Sequence, residues 1–388
     1  MTPGWSEARL GAMPSLRWVP RLLVRAAVVA LAGLALIPAM VSPALAHGRG
    51  TDATNYASRI TAAPDLPGVS WAVYGGDELL EVTNETDVEV VVLGYDGEPY
   101  LRVGPDGVHE NRSSPATYLN TDQYARVDVP PHADSSAPPD WQRVAGGSSR
   151  AWHDHRIHFM SAVPHPEIAA DPDTERIVPG FDRWEVPFIY DGREYAVAGE
   201  LRWIPGPAPW PWLLLALPLT LPALLGLRTQ PVATVAEDGE PVQRWPGLVK
   251  PAAVVLGLSV LANTSHLVDD LFAVPLPWSI LAFAAGQTAL FLALGAFGAW
   301  RAWQGGDGAF TALGVGAGAV LVGQGLLLLP VLTASQLASL LPDTAVRLIV
   351  AASIVQALPV GAAAVIGARR LLPDADHLGA KDEPAGTG

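Results

Sequence analysis

The segment Trp152-His153-Asp154-His155-Arg156-Ile157-His158-Phe159-Met160 places three imidazoles within six positions. In an extended chain side chains alternate, so His153 and His155 share a face and His158 falls on the other unless a bulge or turn intervenes. Two imidazoles on one strand face are a large part of a nitrogen-rich copper or zinc site. A further ligand is offered by His47. It follows Ala44-Leu45-Ala46, which reads as an export cleavage site, so cleavage leaves its imidazole beside a free α-amine. The expected metal set is therefore His47, His153, His155 and His158, with His165 able to come near and copper or zinc as the ion. A plainer reading of the same residues places Trp152, Ile157 and Phe159 in a core, with the histidines bonded to loop carbonyls or to Asp154. A pH-sensing role is the third reading.

A second constellation, Asn263, His266, Asp269 and Asp270, lies at the end of an apolar stretch. His266 stands three and four residues from the two aspartates, so the three share a helix face. They form a candidate cation mouth opening toward the exported domain, or the polar end of a membrane span. Among catalytic patterns, G-x-S-x-G, the phosphate-binding G-x-x-x-x-G-K-[ST], H-E-x-x-H and C-x-x-C are all missing. The chain reads as a binding protein rather than an enzyme.

The elements that must position these residues fall into two halves. Residues 1–46 fit a cleaved signal peptide, with Arg9, Arg17, Arg21 and Arg25 ahead of the apolar run Ala26–Met40. With no cysteine there is no disulfide and no lipid-attachment thiol. Residues 47–206 hold 26 Asp and Glu against 12 Arg and no Lys, so this segment accounts for the whole formal charge of −14. Such a surface excludes nucleic acid as a partner and is compatible with cations. Alternation at Val69, Trp71 and Val73, at Val88, Val90 and Val92, and at Val186, Phe188 and Tyr190, with turns at Asp96-Gly97 and Asp191-Gly192, predicts short antiparallel strands. The expected fold is an all-β sandwich of immunoglobulin or cupredoxin type, its excess length lying in long loops over 104–182.

From Pro209 onward five apolar stretches predict five transmembrane helices, about 209–227, 249–268, 277–300, 309–333 and 344–368. Pro218 and Pro222 predict a kink in the first. Arg228, Arg244, Lys250, Arg301, Arg369 and Arg370 mark one side, whereas 269–276 and 334–343 contain no Lys or Arg. The positive-inside rule then sets domain 47–206 outside the cytoplasm and the C-terminal tail 371–388 within it. Gln287, Gln324 and Gln356 come out at a similar depth, roughly 14–18 Å at 1.5 Å per residue, as a packing layer of amides or a polar pathway.

The segments Leu93–Leu101, Glu110–Asn120 and Trp152–His158 resemble those of a group of uncharacterised actinobacterial envelope proteins. The resemblance covers the exported domain best and implies location and architecture, with no activity to carry over. His47 and the β-rich domain are also similar to copper-resistance carriers. Met160 is the only methionine of the exported domain, so the Met-rich copper(I) ligands of some such carriers are missing, which leaves copper(II) or zinc. The expectation is a multi-pass cell-membrane protein in contact with the bilayer and other envelope proteins, presenting a β-domain that binds a divalent metal. The alternatives are a cation transport-linked protein and a structural partner with no small ligand.

Overall fold

A computed structural model describes residues 53–161, 163–235, 241–306 and 308–370. The signal segment, His47 and the C-terminal tail lie outside these residues.

The N-terminal half is β-rich, as its alternation predicts. One antiparallel sheet takes the order β1 (Tyr56–Ala62), β11 (Arg193–Trp203), β10 (Trp184–Tyr190), β4 (Val90–Leu93), β5 (Pro99–Gly104), β6 (Gly107–Asn111) and β7 (Trp141–Ala145), with the two-residue β9 (Arg176–Ile177) on β11. A second, three-stranded sheet is β2 (Val69–Tyr74), β3 (Leu79–Asn84) and β8 (Ser149–Trp152). Inward residues of both sheets meet in one core, Leu80, Val82 and Trp152 from the small sheet against Val92, Leu101, Val186 and Phe188 from the large one. The turn joining β10 to β11 has positive φ at both Asp191 and Gly192, the pattern whose twist matches a two-residue hairpin. The region 104–182, expected as loop, contributes β6 to β9 and two short helices, α1 (Ala116–Leu119) and α2 (Pro166–Ala170). These strands carry little alternation, and cross-strand pairing rather than local pattern selects them.

The C-terminal half is helical. Four helices are long and apolar enough to cross a membrane: α5 (Pro246–Phe272), α6 (Trp278–Gln304), α7 (Ala309–Val320) continued by a π-helical turn Leu321–Leu326, and α8 (Asp343–Arg370), apolar over Asp343–Gly367. The count of five expected from the sequence is corrected at the first stretch. Trp210–Gly226 breaks into α3 (Trp210–Ala216), a 3-10 turn Leu217–Thr220 and α4 (Leu221–Gly226). Pro218 and Pro222 each remove an amide donor and crowd the preceding turn, so no single helix forms. The segment nevertheless runs along the bundle. Trp212 lies under Arg347 near the start of α8, while Gly226 packs on Gly247 at the start of α5. A hairpin, β12 (Val232–Val235) with β13 (Pro241–Arg244), joins it to α5.

The β domain rests on the loop before α8. Thr54 exchanges two backbone hydrogen bonds with Gln336, at 3.1 and 2.8 Å, and the Ser335 amide donates to Asn55 Oδ1 at 2.8 Å. Gly206 sits so close to the Thr333 carbonyl that no β-carbon fits.

Candidate functional site

The histidine segment is a turn, not a strand. β8 ends at Trp152, and the Ile157 amide donates to the Asp154 carbonyl at 3.1 Å. Asp154 organises that turn. Its fully buried carboxylate accepts from Trp152 Nε1 at 2.8 Å, from Arg156 Nε at 2.8 Å, from Arg156 Nη2 at 2.7 Å and from the Arg156 amide at 3.0 Å. Burial alone would raise its pKa; the Arg156 charge and these bonds outweigh burial and hold it below the ordinary carboxylate value. Arg156 is held in turn by the Leu93 carbonyl at 3.1 Å and by the face of Tyr95, 5.1 Å from the ring centre. Tyr95 stacks on His155 at 5.8 Å and accepts from the His155 amide at 3.1 Å.

The turn brings His158 back to its neighbours. The His153 ring lies 5.1 Å from that of His155 and 4.9 Å from that of His158, centre to centre. Each ring is oriented through one nitrogen. Nε2 of His153 donates to the Gln123 carbonyl at 3.2 Å, and Nε2 of His155 to the Asp122 carbonyl at 2.9 Å. Both carry the proton there, because a carbonyl only accepts. Nδ1 of His158 lies 2.8 Å from the Asp77 carboxylate. Asp77 and Glu78 come from the β2–β3 turn, which Gly75 and Gly76 close with positive φ. Nδ1 of His153 stands 3.6 Å from Glu78 Oε1. Among the described residues, that nitrogen and Nε2 of His158 are buried without a hydrogen bond.

Electrostatics divides the three rings. Burial, with the nearby His158 and His155 charges, pushes the His153 pKa down to about 4. Burial also lowers His155, against the Asp122 carbonyl. For His158 burial acts downward too, but the Asp77 hydrogen bond and the Asp77 and Glu78 charges prevail and raise its pKa. The centre therefore favours one imidazolium paired with Asp77 beside neutral imidazoles.

A metal fits this centre in part. The donor chemistry is suitable, and Nδ1 of His153, 3.6 Å from Glu78, and Nε2 of His158 are buried without a hydrogen bond among the described residues. Yet among the described residues no group of three or more His, Asp or Glu side chains is disposed to hold an ion. His165 is elsewhere: its Nδ1 accepts from the Glu167 amide at 3.3 Å and caps α2. Asp77 and Glu78 were not singled out by sequence. The only local signal is an acidic pair following Gly75-Gly76 in a hairpin, which is an ordinary surface turn until the fold sets His153 and His158 against it.

In the bundle the expected mouth is divided. His266 is buried, its Nδ1 3.2 Å from Gln324 Oε1 on the π-helical turn. Asp269 instead holds the loop before α8, accepting from Ser339 Oγ at 2.7 Å and from the Leu340 amide at 2.9 Å. Asp270 is half-buried. The expected layer of three glutamines does not form. Gln356 bonds the Ser353 carbonyl of its own helix at 3.3 Å, and Gln287 is half-exposed. A second polar tie between helices is Asn263, whose Nδ2 donates to Ser353 Oγ at 2.8 Å and to the Ser259 carbonyl of its own helix at 2.7 Å. Sequence reasoning missed Ser353, since serine occurs on any helix face.

No family model, no curated protein and no solved structure matches this chain, so the reading of its role rests on its own residues.

Proposed function

We propose that this chain is an integral membrane protein that presents its β domain outside the cytoplasm as a binding module, with His153, His155 and His158 as ligands for a divalent ion, copper or zinc. The observation that carries the reading is the way the rings are held. A carbonyl or carboxylate fixes one nitrogen of each, as the outer-shell partners of metal-ligating imidazoles do, and leaves Nδ1 of His153, Nδ1 of His155 and Nε2 of His158 for an ion. The ring separations of 4.9 and 5.1 Å are close to the roughly 5 Å that two imidazoles require on one tetrahedral ion with metal–nitrogen distances of about 2 Å. Uptake requires the rings to turn toward a common focus, and His47 is a further ligand in this reading. The domain lies against 333–336, at the Lys- and Arg-free loop 334–343, and Arg228, Arg244, Lys250, Arg301, Arg369 and Arg370 flank the opposite ends of the helices, with Arg347 on the β-domain side; this excess supports the outward orientation and a cytoplasmic C-terminus.

A second reading, a structural partner in an envelope complex with no small ligand, draws on the missing three-ligand arrangement. The two separate cleanly. The full chain, purified in detergent and equilibrated with Cu(II) or Zn(II), should retain about one ion per chain by elemental analysis. The double variant His153→Ala/His155→Ala should lose it, with the fold checked by circular dichroism. Asp77→Asn should weaken retention roughly 10- to 100-fold through loss of the outer-shell acceptor. A metal-free protein whose melting temperature does not respond to either ion would leave the second reading.

A further inference from the structure

We infer that a cleft at the end of the bundle away from the β domain binds one anionic phospholipid. The cleft, about 390 Å³, is lined by Leu221, Pro222 and Leu225 of α4 and by Gly247 and Pro251 of α5, with Gly226 and Thr229 at its end. Its shape follows from the residue types. Gly226 and Gly247 let the two segments touch: a β-carbon on Gly226 would lie 2.7 Å from the Gly247 carbonyl, and one on Gly247 would strike Thr229. Neither glycine nor a compact proline ring projects far enough to fill the angle where α4 meets α5.

What occupies this angle is decided by its surroundings. Its walls are apolar and belong to segments that lie among the membrane-crossing helices, so an acyl chain is the apolar group at hand. Arg228 precedes the lining residue Thr229, and Arg244 stands three residues before Gly247; both are exposed. Among the described residues no carboxylate pairs with either. The exposed Lys250 adjoins Pro251 and lies 5.3 Å over the Trp303 ring, an interfacial placement. Arg228 adjoins Thr229 and Arg244 adjoins Trp245, whose Nε1 donates to Thr229 Oγ1 at 2.8 Å, so the two cations flank one contact. Glu237, Asp238 and Glu240 occur in 236–240, outside the described residues. An apolar cleft beside clustered cations at a helix boundary is the arrangement that holds an anionic headgroup with its chain buried.

The inference is independent of the histidine centre. The full chain is placed in nanodiscs of phosphatidylcholine containing one-tenth phosphatidylglycerol, then released for native mass spectrometry. One retained phosphatidylglycerol per chain is expected, preferred over phosphatidylcholine at least tenfold; each basic residue near the surface contributes roughly fivefold. Arg228→Gln/Arg244→Gln should abolish the preference while leaving a lipid bound. Leu221→Trp, at an exposed position that overhangs the cleft, should remove the retained lipid with the charges intact. Melting temperature in detergent should rise with added phosphatidylglycerol but not with inorganic phosphate. Equal retention of the two lipids, an unaltered preference in the double arginine variant, or the same rise with phosphate would overturn the assignment.

Discussion

Asp154 shows how a residue selected for one chemistry serves another. Its place between two histidines suggests a hydrogen-bond partner for their rings. In the fold it balances Arg156 inside the domain, taking four hydrogen bonds from Trp152 and Arg156. Asp154→Ala would leave a buried guanidinium without its counter-charge and Trp152 Nε1 without an acceptor. A loss of about 3–5 kcal/mol is expected, read as a lower urea midpoint for the β domain. His153 carries a pH prediction of definite sign. Its pKa falls from 6.5 to about 4 on folding, so between these values the unfolded chain binds the extra proton. Stability of the metal-free protein is therefore lost as pH falls from about 6.5 toward 4, by at most about 3 kcal/mol. His158 works in the opposite sense: with its pKa raised, its contribution is full below 6.5 and is lost as pH rises through the folded value. Urea titrations at pH 7 and pH 4.5 should show the acid loss in the parent and a flatter response in His153→Gln.

At the scale of elements, regular patterns were legible and irregular joints were not. Period-two alternation located β2, β4, β10 and β11, and the Asp-Gly pairs located the β4–β5 and β10–β11 turns, because those signals arise within a few residues. The turn over Asp154–Ile157 defeats the alternation argument, since a buried ion pair and a Tyr95 stack override the extended preference of the segment. The same limit applies in the membrane half. Hydropathy detects Trp210–Gly226 but not that its prolines divide it into three. The joint between the halves rests on backbone contact at Thr54 and Gly206 and on the Asn55 side chain, which no composition signal marks. Gly206→Val should drive the connector off Thr333, with a several-fold rise in amide exchange at 334–336 and little change in the core strands.

The whole molecule is polarised along the bundle. The acidic β domain sits on the loop before α8, and that loop is bound to α5 through Asp269 and to α8 through Arg347, whose Nη2 donates to the Ala334 carbonyl at 2.8 Å. The histidine centre borders this joint, because Gly76, next to Asp77, packs on Gln336. The arrangement predicts a simple sidedness. With no native cysteine, a single cysteine at Leu340 should react with an impermeant thiol reagent on intact cells, whereas one at Gln304 should react only after permeabilisation. The reverse pattern would refute the outward placement of the β domain.

By itself the sequence determined the two-part plan, the antiparallel character of the first part and the apolar helices of the second. Those features depend on transfer free energy and local periodicity, which are written residue by residue. Only the tertiary structure decided which nitrogen of each histidine is held and that Asp77 and Glu78 face them. It also decided that Asp154 belongs to Arg156, and that His266 and Asp269 serve different partners. Most of these pairings join residues far apart in the chain, His158 and Asp77 by 158 − 77 = 81 positions, and all are set by burial that hydropathy and periodicity do not encode.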